Sequence, residues 1–86
     1  MIKFKLADLL NIRGMTMYQL SKRTGIRPNT ISQWVHNEEL REEGKEVRSI
    51  SIDVLNSVCR VLECEIGDII EYVPDGEDEN GGGRDG

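Results

Sequence analysis

The sequence predicts a compact all-α domain of five short helices, with a candidate strand at either end. Three observations lead to this prediction. The chain has 86 residues, which is the length of one domain. Its apolar residues recur at helical spacing over several short stretches. Glycine, proline and hydroxyl-bearing residues stand between those stretches, at positions that start and end helices.

The first predicted helix runs from about Leu6 to Arg13. Leu9 and Leu10 follow Leu6 at i+3 and i+4, which gives the helix one apolar stripe. Gly14 comes next and suits the left-handed position that commonly ends a helix. Before this helix, apolar and charged residues alternate, which favours a short strand over Ile2–Lys5.

The second and third predicted helices are separated by a glycine. Thr16 can cap the second helix, over about 17–24, because its hydroxyl can accept a hydrogen bond from a free backbone N–H. Gly25 is expected to end this helix in the left-handed conformation. Pro28 then suits the first turn of a third helix. The second helix is expected to bury Met17, Leu20 and Ser21. The third is expected to pack inward with Ile31, Trp34 and Val35.

Residues 37–50 are mostly polar and predict a long loop. Gly44 lies near its centre and could turn a small hairpin between residues 40–41 and 47–48. Ser51 is a good cap for a fourth helix. The apolar face of that helix is expected to consist of Ile52, Leu55, Val58, Cys59 and Leu62.

The last part of the chain predicts a short fifth helix, a strand and a tail. A one-turn helix is expected over 66–70, and residues 72–73 form a candidate strand that would pair with Ile2–Lys5. The folded domain is therefore expected to cover residues 1–74. Residues 75–86 contain no apolar side chain, so they predict a disordered, acidic, glycine-rich tail.

The chain offers little for catalysis, metal binding or membrane insertion. It has one histidine and no nucleophile beside a base, so we expect no enzyme and no cofactor. Cys59 and Cys64 are expected to be small apolar residues of the interior, because His36 is too distant in sequence to complete a zinc site. No signal peptide or run of about 18 apolar residues is present, which predicts a cytoplasmic protein without membrane contact. A disulfide is disfavoured in that compartment.

The charge is distributed unevenly along the chain. The net charge is −5, yet residues 1–37 carry +5 and residues 38–86 carry −10. Such asymmetry is a signal of nucleic-acid binding by the basic half. The alternative is a solvated surface whose charges happen to be uneven.

Residues 16–37 carry the most specific pattern in the chain. Two crossing helices need a small residue at the crossing point, a flexible residue at the turn and apolar residues that fix the second helix. Ser21, Gly25, Ile31 and Trp34 meet these needs at spacings of 4, 6 and 3. This pattern is typical of a helix-turn-helix that reads DNA.

The chain here resembles the Cro and phage-repressor family of regulators, also called the XRE family, over about residues 5–73. The resemblance rests on the segments 20–26, LSKRTGI, and 30–34, TISQW, and on the final segment 62–70, LECEIGDII. It implies a lambda-repressor-like fold of five helices and binding to operator DNA.

The resemblance also implies which residues contact DNA. The recognition helix of this family enters the major groove by its N-terminal end. The residues expected to face base edges are Arg27, Asn29, Thr30 and Gln33, and arginine and amide side chains can read guanine and adenine there. Thr16 and the free N–H groups behind it are expected to face a phosphate, and Lys22 and His36 are weaker phosphate candidates. Alternatively, Asn29 and Thr30 only begin a helix, and His36 is a surface residue.

Two positions depart from the family pattern. Met17 stands where the family usually has a glutamine that contacts phosphate, so one anchor is lost. The segment after the third helix is usually shorter and basic, whereas here it is acidic. Its acids are Glu38, Glu39, Glu42, Glu43 and Glu46.

These observations predict a sequence-specific regulator, expected to be a repressor. It would bind a palindromic operator as a homodimer through the helix at about 28–36. The alternative is a protein-interaction module or antitoxin-like partner that keeps the fold and binds DNA weakly or not at all. In that case the acidic loop 38–50 would contact a protein partner.

Overall fold

The computed structural model of the chain describes residues 1–74, and the predicted tail lies outside them. The described part contains five α-helices, one 3₁₀ turn and two short strands, in agreement with the predicted fold class. In chain order these elements are β1 (Ile2–Phe4), α1 (Leu6–Arg13), α2 (Met17–Thr24), α3 (Pro28–Val35), α4 (Asn37–Glu42), α5 (Ile52–Leu62), the 3₁₀ turn (Ile66–Asp68) and β2 (Ile70–Tyr72).

The core is aliphatic except for one tryptophan. Side chains from α1, α2, α3, α5 and the residue before β2 meet in it. Its most deeply buried members are Leu6, Leu20, Ile31, Val58, Leu62 and Ile69. Trp34 is 3% exposed, and its ring centroid lies 5.0 Å from that of Phe4 on β1. Because the buried indole joins α3 to the sheet, it has a structural role, as its apolar stripe predicts.

Local capping interactions fix the helix ends that the sequence predicts. The Ser51 hydroxyl accepts a hydrogen bond from the Val54 N–H at the start of α5. Gly14 ends α1 with a φ of 65°, in the left-handed region that glycine adopts without steric cost. Pro28 occupies the first turn of α3, where its missing N–H costs no helical hydrogen bond.

The two strands pair antiparallel and bring the ends of the described chain together. Ile2 lies opposite Tyr72, and Phe4 lies opposite Ile70. The pairing predicted from the sequence is therefore present, although the second strand begins two residues earlier than expected. The backbone continues the pairing beyond the strands, because the Val73 N–H donates to the Met1 carbonyl at 2.7 Å. No helix in residues 1–74 is long and apolar enough to cross a membrane.

The prediction of a loop with a hairpin over 37–50 is wrong, because residues 37–42 form α4. The sequence shows no apolar stripe for this helix, because Leu40 is its one aliphatic residue. Acidic residues in its first turn are favourable at the positive end of a helix dipole. Gly44 follows the helix in the left-handed region, at φ 74°, and the Lys45 N–H donates back to the Leu40 carbonyl. The domain therefore reaches five α-helices through α4, which the sequence did not predict. The one-turn helix expected over 66–70 is a 3₁₀ turn.

Two side chains expected in the core are exposed instead. Met17 is 37% exposed and Ile52 is 75% exposed. Each is the first residue of its helix. Side chains on a helix tilt toward its N-terminus, so a residue in the first position points past the packed face rather than into it.

Asn37 is the buried polar residue that holds the segment after α3. It is 2% exposed, and its Oδ1 accepts a hydrogen bond of 2.7 Å from the Val47 N–H. We expect Asn37→Ala to lower the free energy of unfolding by about 1–3 kcal/mol, because it leaves a partly buried N–H without an acceptor.

Urea unfolding followed by circular dichroism measures this effect. The exposed Asn11 on α1 supplies a matched control, and Asn11→Ala should change stability by less than about 0.5 kcal/mol. Equal effects of the two substitutions would contradict a structural role for the Asn37 amide.

Candidate nucleic-acid interface

The turn between α2 and α3 is fixed by side-chain hydrogen bonds. The Ser21 hydroxyl donates to the Ile26 carbonyl at 2.6 Å in a buried position. The Thr24 hydroxyl donates to the Leu20 carbonyl at 2.7 Å and accepts from the Ile26 N–H at 3.1 Å. Gly25 sits between them at φ 77°, and its N–H donates to the Ser21 carbonyl. These bonds set the angle at which α3 leaves α2.

Helix α3 has one buried face and one exposed polar face. Ile31 and Trp34 anchor it in the core. Asn29, Gln33 and His36 are exposed, and their i, i+4, i+7 spacing places them on one side of the helix. The structure therefore brings three of the residues predicted from the sequence into a single row.

The N-terminal end of α3 borders a shallow groove of about 400 Å³. Arg27 is exposed there in an extended conformation just before the helix, and Thr30 is half-buried on the groove wall. Asp53, in the first turn of α5, lines the same groove. Sequence reasoning missed Asp53, because it lies 23 positions after Thr30 and only the packing of α5 brings it there.

Thr16 caps the start of α2, as the sequence predicts. Its hydroxyl accepts from the Gln19 N–H at 3.0 Å, and its own N–H donates to Gln19 Oε1 at 2.9 Å. This reciprocal capping box satisfies two backbone donors within the chain. The hydroxyl proton of Thr16 and the first N–H groups of α2, those of Met17 and Tyr18, are what this end can offer to a phosphate.

Tyr18 and Lys22 form an exposed pair on α2. The Lys22 ammonium lies 5.6 Å from the centroid of the Tyr18 ring, within the range of a cation–π contact. Tyr18 is 67% exposed. Sequence reasoning selected Lys22 and missed Tyr18, although the i, i+4 spacing of an aromatic and a basic residue was a usable signal.

Acidic side chains follow directly after the row on α3. His36 Nδ1 lies 3.7 Å from Glu39 Oε2, so a protonated His36 has a carboxylate partner within the chain. Arg41 lies 3.4 Å from Glu38 and 3.9 Å from Glu46. One guanidinium is thus shared by two of the five acids of this segment. The helix α4 is therefore a negatively charged neighbour of α3.

A metal site in the described residues would require several ligating side chains close together. Residues 1–74 contain no group of three or more histidine, cysteine or acidic side chains arranged to hold a metal ion. The thiols of Cys59 and Cys64 are free and half-buried rather than fully interior. The exposed polar row on α3 and the adjoining start of α2 are therefore the candidate site.

Comparison with known proteins agrees with this geometry. Residues 5–75 match the family model of the Cro/C1-type HTH DNA-binding domain. An uncharacterized HTH-type transcriptional regulator of Bacillus subtilis (strain 168), YozG, is 34% identical over 67 residues, which are 78% of this chain and 70% of that protein. The crystal structure of the transcriptional regulator VanUg superposes with a TM-score of 0.62 and 29% identity, covering 86% of this chain and 87% of that one.

The family match covers all five helices, and its class is one of DNA-binding regulators rather than of enzymes. The resemblance in segments 20–26, 30–34 and 62–70 is thereby confirmed. The chain belongs to the Cro/C1-type helix-turn-helix family of DNA-binding transcriptional regulators.

Proposed function

We propose that the chain is a sequence-specific repressor that binds a palindromic operator as a homodimer through α3. One observation carries the proposal: the exposed row of Asn29, Gln33 and His36 lies on a helix whose other face is locked into the core. Asn29 and Gln33, the two amides of this rigid row, are exposed on α3 and suit the edges of base pairs in a major groove.

Base contacts are assigned to α3 and to Arg27, the residue just before it. Asn29 and Gln33 can each bind adenine through two hydrogen bonds, and Arg27 can bind guanine in the same manner. Thr30 is half-buried, so its hydroxyl is assigned to the rim of the contact. Asp53 lines the same groove as Arg27. Its carboxylate can accept a hydrogen bond from cytosine N4 and repels phosphate, which limits the DNA groups that can enter the groove.

Phosphate contacts are assigned to the start of α2 and to its exposed face. The free N–H groups of Met17 and Tyr18 and the positive end of the helix dipole favour an anion. Lys22 adds a charge held near the Tyr18 ring, and Thr16 can donate its hydroxyl proton. His36 at the far end of α3 contributes a positive charge only when protonated, and then Glu39 competes for it.

The small size of the site supports a homodimer. One recognition helix contacts only a few base pairs, so useful specificity requires two half-sites related by a two-fold axis. A dimer bound at a promoter excludes polymerase by occupying its DNA. Under this proposal the chain acts in the cytoplasm of its cell.

A second candidate function rests on the acidic segment. Glu38, Glu39, Glu42 and Glu43 are exposed on or next to α4, and acids beside α3 repel phosphate. A basic protein partner could bind this face, as expected of an antitoxin-like or interaction module. Selection of bound sequences from random DNA with the purified chain, at two salt concentrations, separates the two functions. A palindrome should be enriched if the chain is an operator-binding regulator.

Substitutions on α3 should alter sequence preference, whereas a substitution on α2 should not. We expect Asn29→Ala and Gln33→Ala each to weaken binding to the selected site by about 1–3 kcal/mol and to relax the preference at one base position. Lys22→Ala should weaken binding to cognate and random DNA alike and flatten the dependence on salt.

Titrations of both DNAs at several salt concentrations measure these effects. Ile12→Ala, at an exposed position on α1, is a control for a general loss of fold. Equal losses on cognate and random DNA for all three interface variants would refute the division into base and phosphate contacts.

The stoichiometry should be two chains per symmetric site, with half-sites about 34–36 Å apart. Two exposed apolar pairs are candidate dimer surfaces: Ile2 and Tyr72 on the sheet, and Ile52 at the start of α5 with Ile66 in the 3₁₀ turn. Light scattering of the complex measures the stoichiometry. Loss of dimers in Tyr72→Glu or in Ile66→Glu would assign the surface. One chain per site without preference for symmetry would overturn the homodimer.

Removal of residues 75–86 should raise the affinity for DNA at low salt. The segment carries a net charge of −4, so its removal changes the net charge from −5 to −1. Less negative charge reduces repulsion of phosphate, and screening beyond about 8 Å at physiological ionic strength should make the gain small there.

DNA titrations and thermal melts of the full chain and of residues 1–74 measure this effect. The melting temperature should be nearly unchanged, because the removed segment has no apolar side chain. Unchanged affinity at low salt would show that the charge of this segment does not act on the DNA-binding surface.

A further inference from the structure

The C-terminal end of α5 places Cys59 and Cys64 next to each other. Glu63 adopts the left-handed conformation at φ 51°, and the Cys64 N–H donates back to the Cys59 carbonyl at 3.1 Å. This is the arrangement of a Schellman cap, which brings the side chains of its first and last residues into contact. In this chain those two side chains are both thiols.

The backbone geometry of this cap suits a disulfide. Two residues joined by a direct backbone hydrogen bond have Cα atoms about 5–6 Å apart, and this is the separation most common in disulfides. Both cysteines are free and half-buried. Burial and then the neighbouring Cys59 thiol raise the pKa of Cys64 to about 11, which is a second sign that the two sulfurs face each other.

The two thiols are also open to a small reagent. They line a groove of about 350 Å³ between α5 and the 3₁₀ turn. The rim of the groove carries Ile52 and Ile66, which are 75% and 54% exposed. A reagent of the size of a peroxide can therefore reach either sulfur without unfolding of the helix.

We propose that Cys59 and Cys64 are a redox-active dithiol, which a hydroperoxide closes to an intramolecular disulfide across the end of α5. One thiolate attacks the peroxide, so that an S–O bond forms, the O–O bond breaks and the leaving oxygen departs as water or alcohol. The second thiol loses its proton as its sulfur attacks the resulting sulfenic acid, so that the S–S bond forms and the S–O bond breaks. The leaving hydroxide takes up that proton and departs as water. The two sulfurs lose two electrons in total, and the peroxide gains them.

The disulfide would act on a junction between two helices. Arg13 on α1 donates from Nε to the Leu62 carbonyl at 2.9 Å and from Nη2 to the Glu63 carbonyl at 3.3 Å. Both carbonyls lie inside the ring that the disulfide closes. Oxidation therefore fixes the left-handed residue and the two acceptors of Arg13 together. Because the high pKa keeps Cys64 protonated at neutral pH, closure is slow, and a thiol reductant reverses it.

The test uses the reduced full chain and hydrogen peroxide. After oxidation we expect no disulfide between chains. The mass of each chain should be lower by about 2 Da, and iodoacetamide should no longer alkylate it. Dithiothreitol should restore two alkylatable thiols. The melting temperature of the oxidised chain should be higher by about 5–10 °C, because a short closed loop restricts the unfolded state.

Single-cysteine variants and an unfolded reference make the result specific. Cys59→Ser and Cys64→Ser should form no intramolecular product and should show no rise in melting temperature. In glutathione buffers, the disulfide should be favoured at least about tenfold more in the native chain than in urea, because the fold already holds the thiols together.

Three results would overturn the proposal. The first is two alkylatable thiols after treatment, and the second is oxidation of one sulfur to sulfinic acid with the other free. The third is a disulfide that forms no more readily in the native chain than in urea. None of these readouts involves DNA, so the outcome is independent of the proposed operator binding.

Discussion

The hydrogen bond from the Ser21 hydroxyl to the Ile26 carbonyl is the contact on which the interface depends. It is buried and short, and it spans the turn at which the chain changes direction between two helices. A free carbonyl at this position would be costly, so the turn has one favourable conformation. With that angle fixed, Ile31 and Trp34 enter the core and the opposite face of α3 is presented to solvent. The orientation of the candidate DNA-binding face thus depends on a buried contact inside the turn.

The sequence predicted those parts of the fold that local chemistry determines. Four of the five α-helices were predicted, because leucine stripes and residues such as Gly14, Thr16 and Ser51 mark them locally. Helix α4 was missed, since its buried contact is one asparagine side chain bonded to an N–H ten residues away. The exposed row of Asn29, Gln33 and His36 was likewise predictable from the helical spacing of these residues. Asp53 was not found, because its position beside the start of α3 depends on how the helices pack. Tyr18 was missed although its i, i+4 spacing with Lys22 is a local signal.

Charge is distributed unevenly between neighbouring segments of the domain. Residues 1–37 carry a net charge of +5, and the acids of α4 begin directly after them at Glu38. Arg41 ties this acidic segment to the sheet, since it pairs with Glu38 and Glu46 and also donates to the Ile2 carbonyl. The negative surface is therefore held in place rather than free to swing toward the backbone of bound DNA.

The pairing of β1 with β2 holds the two ends of the helical domain next to each other. The Met1 amino group is hydrogen-bonded to the Val73 carbonyl, and the Val73 N–H returns to Met1. A short peptide could join these two positions, and new termini could be opened at the exposed Gly44. Circular permutation should therefore preserve the fold, because every helix–helix contact would keep its geometry while only the order of elements changed.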